Sequence, residues 1–383
     1  MPSPRVVTVV IDAPRGALPA FSLESPWWQE AEPVVTAVRE QFGLEIAVLR
    51  LLEGEVPFET PVTYLAELVR GDADGLLGPW EKRLADDPLR LPYADPGGPD
   101  ADLAWAASHV TITAPPVQIR TWNLSSIWKI PTDQGLVWLK HVPPFFAHES
   151  SMLRALGDDA RVPRLIAGEP GRMLLADVPG HDCYEADGEQ LESMLDTLIS
   201  LQVEWIGRED ELLALGAPDW RRASYVELAA DVVARGAPSD DRSVLDAFVA
   251  RLPSIFDDLD ACSVPDTFVH GDFHPGNVRW SQGSPVILDW GDVGVGHPLL
   301  DLPAFIERVG DRAETLHARW MRRWAAAVPG SEPARAAELI APVALMRQAI
   351  IYQRFLDGIE ESERVYHRAD VPERLASVAA MIV

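Results

Sequence analysis

Two neighbouring apolar segments constrain the fold of this chain more tightly than any other feature. FVHGDFHPGNVRW (268–280) carries His270, Gly271 and Asp272 out of an apolar strand into a loop, with Asn277 five residues after that Asp. SPVILDWGDVGVGHPLLDL (284–302) then presents Asp289 at the C-terminal end of a second apolar strand, Val286 to Leu288. The intervening SQGS (281–284) has the residue types of a tight reversal, so the two strands can pair as a hairpin. Pairing would bring a carboxylate and an amide oxygen on one loop close to a carboxylate on the adjacent strand.

Phosphoryl transfer needs little else of a protein: a carboxylate beside the acceptor hydroxyl and oxygen ligands that fix magnesium across the phosphates. A second chemistry is open to the same residues, because imidazole and carboxylate together suit zinc or iron. His270, Asp272, His274 and Asp289 could therefore form a metallohydrolase site. A third reading keeps nucleotide binding without turnover, as a sensor or partner module. His274 reads as a turn residue, and His270 as a buried brace, since a carboxylate already fills the role of base.

HGDFHPGN and ILDWGD resemble the catalytic loop and the metal-binding motif of the aminoglycoside phosphotransferase and choline kinase family, which is similar in fold to the protein kinases. The resemblance implies Asp272 as catalytic base, Asn277 and Asp289 as magnesium ligands, and His270 as a residue bracing the loop. It implies that Asp301, in GHPLLDL, hydrogen-bonds the catalytic loop. Upstream, LVWLK ends in Lys140, the match for the family's phosphate-binding lysine, and Glu149 in AHESSMLRAL would be its helix partner. The turn Asn123–Leu124–Ser125–Ser126 lacks the glycines that protein kinases place over phosphates, and Ser125 and Ser126 would supply donors there instead. The resemblance implies an α+β, bilobal, protein-kinase-like fold: an antiparallel-sheet lobe over 117–180 and a mostly helical lobe over 181–383. The expected activity is transfer of the γ-phosphate of ATP or GTP to a hydroxyl of an aminoglycoside, amino sugar or similar metabolite, with Mg2+.

The chain's 383 residues suggest about two or three domains. With 33 Lys+Arg against 59 Asp+Glu, the formal net charge of -26 repels nucleic acid and anionic membranes and attracts a cationic acceptor. Carboxylates suited to amino groups occur in the helical region at Asp357, Glu360, Glu361 and Glu363, although such a cluster is also the ordinary composition of a solvated face. Cys183 and Cys262 are far apart and form no CxxC pattern, so neither a disulfide framework nor a zinc site is indicated, in keeping with a cytoplasmic protein. The apolar run Val6 to Ile11 is too short for a signal h-region or a membrane span. The sequence leaves the oligomeric state and the acceptor's identity open.

Ahead of the sheet lobe, 1–94 reads as a small α/β domain: a β-branched strand at 5–12, a helix within 28–42 ended by Gly43, and strands at 44–52 and 62–69. Glu30, Glu32, Arg39, Glu40 and Gly43 resemble a Nudix box, but Gln41 and Phe42 stand where that family places further glutamates, so the resemblance implies a capping or docking unit. The Pro/Gly/Asp-rich stretch DPGGPD opens a linker over 95–116. Downstream, the apolar spacing from Val244 to Leu252 predicts a helix that stops at Pro253.

Overall fold

The β-branched run RVVTVVI forms β1 (Arg5–Ile11), followed by the short strands β2 (Gly16–Ala17) and β3 (Phe21–Leu23). After them come α1 (Glu32–Phe42), β4 (Glu45–Glu53) and β5 (Val62–Arg70). The structure, a computed structural model, describes residues 4–55 and 61–383. Strand order is β2-β1-β5-β4 with β3 on β1; β1 and β5 run parallel and the other pairs antiparallel. Helix α1 lays Val34, Val35, Ala37 and Val38 against this sheet. Gly43 ends it in the left-handed region at φ 70°, its N–H returning to Arg39 O at 3.0 Å, as the sequence implied. Of the Nudix-like residues, Glu32 and Glu40 are exposed, Arg39 pairs with Glu45 at 3.0 Å, and Glu30 bonds Ser25.

Residues read as a linker instead contain α2 (Gly98–Ala107). Pro99 sits in its first turn, where a missing N–H costs nothing, so a Pro/Gly-rich string starts a helix here instead of preventing one. Asp102 on α2 is buried and accepts from His141 Nδ1 at 2.9 Å and Arg172 Nη1 at 3.1 Å. It thereby fastens α2 to an antiparallel sheet of β6 (Val117–Trp122), β7 (Ser125–Thr132), β8 (Gly135–His141), β9 (Leu165–Glu169) and β10 (Arg172–Ala176), in the order β6-β7-β8-β10-β9. Ala47 of β4 shares a core with Trp128, Ile130, Val137, Leu139 and Leu174. The Gln118 side chain bridges both main-chain groups of Val48, at 2.8 and 2.7 Å, as another strand would. The segment 1–94 and the sheet of 117–180 thus fall in one compact unit, Met1–Phe145 with Ile166–Asp177 and Phe355–Ala369.

The last of those segments is held by a buried polar network. Leu51 N donates to Glu363 Oε1 at 2.8 Å, Asn123 Nδ2 reaches Glu363 Oε2 at 3.4 Å, and His367 Nε2 donates to Asn123 Oδ1 at 3.1 Å. Burial pushes the Glu363 carboxyl from 4.5 up to about 8. The native state therefore keeps a proton that the unfolded chain releases near 4.5, and stability contributed by this group falls as pH rises through that window. Glu363→Gln imitates the protonated form. Its Tm relative to the parent should rise more at about pH 9 than at about pH 5. Thermal denaturation giving the same difference at both pH values would show that Glu363 does not titrate there.

The second unit comprises Phe146–Leu165, Val178–Arg354 and Asp370–Val383. It begins with α3 (Glu149–Leu156), then β11 (His181–Asp182) and α4 (Gly188–Glu204), which opens with a capping box between Asp187 and Gln190. Next come α5 (Glu209–Ala214), α6 (Arg222–Gly236) and α7 (Arg242–Ala261). Helix α7 runs through Pro253, contrary to the stop read from the sequence. Leu252, Ile255, Phe256 and Leu259 are all buried, so one apolar stripe continues across the proline, and its burial offsets a cost of about 3 kcal/mol.

Strands β12 (Thr267–Val269), β13 (Val278–Ser281), β14 (Ser284–Ile287) and β15 (Gly294–Gly296) follow. They make a three-stranded sheet β11-β13-β14 and a two-stranded sheet β12-β15. Helices α8 (Leu302–Ile306), α9 (Ala313–Ala327), α10 (Pro333–Gly358) and α11 (Asp370–Ile382) complete the chain. No helix among the described residues is long and apolar enough to cross a membrane. Cys183 and Cys262 are separate buried thiols.

Candidate active site

Strand β12 is buried at every position and pairs with β15, which fixes where the 270–277 loop leaves the core. His270, fully buried, donates from Nε2 to Leu288 O at 3.0 Å, while Asp272 N approaches its Nδ1 at 3.4 Å. Burial lowers this imidazole to about 4, so it is a neutral strut between the loop and the end of β14. Asp301, also fully buried, accepts His270 N on Oδ2 at 2.9 Å and Gly271 N on Oδ1 at 2.7 Å; Gln202 Nε2 adds a third bond at 3.0 Å. Burial pushes Asp301 up to about 6, against the pull of those donors and of Arg347.

Gly271 is at φ +93°, and a Cβ there would stand 2.3 Å from Asp292 O and 2.6 Å from Arg347 Nη2. Only glycine allows this approach of the two loops. Arg347 on α10, 2% exposed, donates to Gly271 O at 3.1 Å and to Asp292 O at 3.2 Å, and lies 4.7 Å from the centroid of the Trp220 ring.

Asp272 is held from its own loop. Asn277 Nδ2 donates to Asp272 Oδ2 at 2.8 Å and to Asp272 O at 2.9 Å. The hairpin expected at SQGS is present, with Val278 opposite Ile287 and Ser281 opposite Ser284. Gln282 at φ 51° and Gly283 at φ 86° make the left-handed pair of a type I′ turn. Leu288 N donates to Asn277 O at 2.8 Å, which ties the amide-bearing residue to the strand that ends at Asp289. Asp289 itself has φ 59°, a region costly for most side chains and tolerated by Asp. Trp290 N bonds Glu149 Oε1 at 3.2 Å, and the Trp290 ring is wholly buried beside His270, so it belongs to the core.

These groups fit a hard divalent cation. Because both Nδ2 contacts of Asn277 go to Asp272, its Oδ1 would be the atom to face a metal, and Asp289 would add a carboxylate. Burial, with Asp272 and Asp289 adding to it and Arg347 and Arg354 opposing, pushes the nearby carboxyl of Asp292 up to about 7. The zinc or iron alternative does not fit. Both nitrogens of His270 are engaged, one by Asp272 N of the loop and one by Leu288 O at the end of β14, and His274 Nδ1 accepts from Gly276 N at 3.0 Å. Among the described residues, no group of three or more His, Cys, Asp or Glu is placed to hold a metal ion.

A family model described as the phosphotransferase enzyme family matches residues 116–339, more than half of the chain. The chain belongs to the phosphotransferase enzyme family. Among solved structures it is similar to an aminoglycoside 2'-phosphotransferase-IIIa in complex with GDP, at TM-score 0.53 and 14% identity, covering 73% of this chain and 97% of that one. The choline kinase LicA from Streptococcus pneumoniae gives 0.52 and 13%, over 73% and 99%. An ethanolamine kinase from Plasmodium vivax gives 0.52 and 10%, over 70% and 82%. At these identities the likeness is one of fold, and it is the protein-kinase-like fold the sequence implied, with a sheet N-terminal part and a mostly helical C-terminal part. No curated protein matches the chain. As a member of the phosphotransferase enzyme family, the chain is a small-molecule phosphotransferase with an alcohol group as acceptor.

Several positions differ from the sequence reading of this phosphotransferase. Ser125 and Ser126 lie at the start of β7 and are buried, Ser125 Oγ accepting from Trp122 Nε1 at 3.2 Å. Only Asn123 and Leu124 connect β6 to β7, so the two serines are strand residues that flank the turn instead of forming it. Glu360 is buried, with its carboxylate on Arg90 at 3.1 Å and Arg50 at 3.7 Å, and is spent inside the first unit instead of facing an acceptor. Asp357 and Glu361 are exposed, the latter paired with Arg364 at 2.8 Å. Lys140 stands on the central strand β8, in register with Ile127 and Met173, and Glu149 is the first residue of α3. Asp292, Gln202 and Arg347 were missed. Arg347 left one signal, a lone cation in the apolar run ALMRQAII.

Proposed function

We propose that this phosphotransferase is a kinase that moves the γ-phosphoryl group of ATP, or GTP, to a hydroxyl of an aminoglycoside, amino sugar or similar hydroxylated metabolite. The observation that carries the reading is the fixing of the Asp272 carboxylate by Asn277 Nδ2 at 2.8 Å, on a loop whose backbone is gripped by Asp301. A carboxylate so held is pre-oriented as a base. Asp272 takes the acceptor's hydroxyl proton as the acceptor oxygen bonds to phosphorus and the bond from phosphorus to the departing nucleotide oxygen breaks. Asn277 and Asp289 would hold magnesium, which would supply neutralisation of the phosphate charge. Lys140 binds phosphate oxygens and Glu149 steadies it, the roles the resemblance implies. The net charge of -26 favours a cationic acceptor, for which Asp357 and Glu361 are candidate ligands.

The test is a coupled nucleotide-consumption screen across hydroxylated amines and sugars, with and without a chelator. One or more acceptors should be phosphorylated in step with nucleotide consumed, and only with the divalent cation present. In the same protein Asp289→Asn should weaken magnesium-dependent nucleotide binding by about tenfold or more. Nucleotide consumption without any phosphorylated acceptor, or calorimetry showing unchanged affinity in the variant, would count against the proposal.

A further inference from the structure

His274, a turn residue in the sequence reading, has a second contact. Its imidazole folds back over its own loop, Nδ1 accepting Gly276 N–H at 3.0 Å while Nε2 lies 3.4 Å from Asp272 Oδ2. With Nδ1 occupied as an acceptor, Nε2 carries the ring proton, and that is the atom facing the carboxylate. The same Oδ2 also receives Asn277 Nδ2 at 2.8 Å. One donor and one nearby ring nitrogen therefore converge on the same oxygen, and Oδ1 accepts no hydrogen bond among the described residues. The Asp272 side chain remains 43% exposed, so Oδ1 is open to an incoming hydroxyl.

The neighbouring glycine shows that the space for this ring is built in. A Cβ on Gly276 would fall 2.7 Å from His274 Cε1 and 2.8 Å from Tyr184 Cε1. Gly276 does not have a positive φ, so its missing side chain is needed for room and not for backbone freedom. Tyr184, 73% exposed overall, closes over the same spot.

We infer that His274 is a positioning residue which, with Asn277, clamps Asp272 through Oδ2 so that Oδ1 alone is presented to the acceptor hydroxyl. The inference rests on the reading of Asp272 as the base. At 3.4 Å the ring nitrogen stands at ion-pair distance from the carboxylate and not yet in a hydrogen bond, an approach of the kind that tightens when substrate is bound.

Two isosteric changes separate the ring's contacts. His274→Asn keeps an acceptor near Nδ1 for the Gly276 N–H and deletes the donor at Nε2; His274→Gln keeps a donor near Nε2. In the full chain, with an acceptor found in the screen, H274N should lower kcat about 20-fold with KM for nucleotide and acceptor within about twofold. H274Q should recover to within about fivefold of the parent. Gly276→Ala, which displaces the imidazole while leaving it in the chain, should follow H274N. Equal kcat in H274N and H274Q, a loss that appears in KM, or a Tm that falls further in H274N than in H274Q would overturn the inference. Asp272→Asn, assayed alongside, distinguishes the two layers. If it retains turnover, the base assignment itself fails; if it is inactive while H274N is unaffected, only the clamp fails.

Discussion

Asp272→Asn is expected to lower kcat by about a thousandfold while nucleotide affinity stays within about twofold of the parent. The reason lies in what asparagine preserves and what it removes. Its side-chain oxygen can still accept from Asn277 Nδ2, which holds Oδ2 at 2.8 Å, so the loop keeps its shape. The amide cannot take a proton from an acceptor hydroxyl, and the contribution of a positioned base is realised only in the transition state. Steady-state kinetics with a phosphorylated acceptor, and calorimetry with nucleotide, read the two effects separately. A variant with kcat within about tenfold of the parent would remove Asp272 from the chemistry.

Asp301→Asn should do nearly as much damage by a different route. The buried carboxylate accepts three N–H groups, from His270, Gly271 and Gln202. An amide in its place must point two donors into that set, leaving buried donors unpaired at about 1–3 kcal/mol each. The loop bearing Asp272 then loses its backbone anchor, and a displacement of about 1 Å is enough to cost kcat about a hundredfold. Unlike Asp272→Asn, this variant should also lose several degrees of Tm, measurable by differential scanning calorimetry. A drop in kcat with unchanged Tm would mean that Asp301 acts on substrate and not through the loop.

The two changes probe one assembly whose parts come from distant places in the chain. Asp301 grips Gly271 from 30 residues away, and Arg347 reaches the same glycine from 76. The family match ends at residue 339, so Arg347 lies outside the segment that places the chain in its family.

Much of the hairpin at the site was readable locally. HGDFHPGN, the reversal at SQGS and the carboxylate closing β14 are patterns of adjacent residues, and turn chemistry with period-two apolar runs acts over that range. For the same reason Gly43 caps α1 where the sequence placed its end.

Other features lay beyond local pattern. Residues 98–107, Gly- and Pro-rich at their start, form a helix because Asp102 and Ala106 find partners on the β6–β10 sheet. Helix α7 continues through Pro253 because apolar burial on both sides outweighs one missing hydrogen bond. Glu360 and Glu363 look like solvated charge in sequence and are buried because Arg50, Arg90, Leu51 N and Asn123 meet them there. The sequence by itself determined which residues could supply a base, an amide oxygen and a strand-end carboxylate, since those depend on side-chain type and short spacing. Only the tertiary structure decided which oxygen of Asp272 is restrained, what anchors its loop and which charges are spent internally, because a hydrogen-bond partner far along the chain is chosen by packing and leaves no periodic trace in the residues around it.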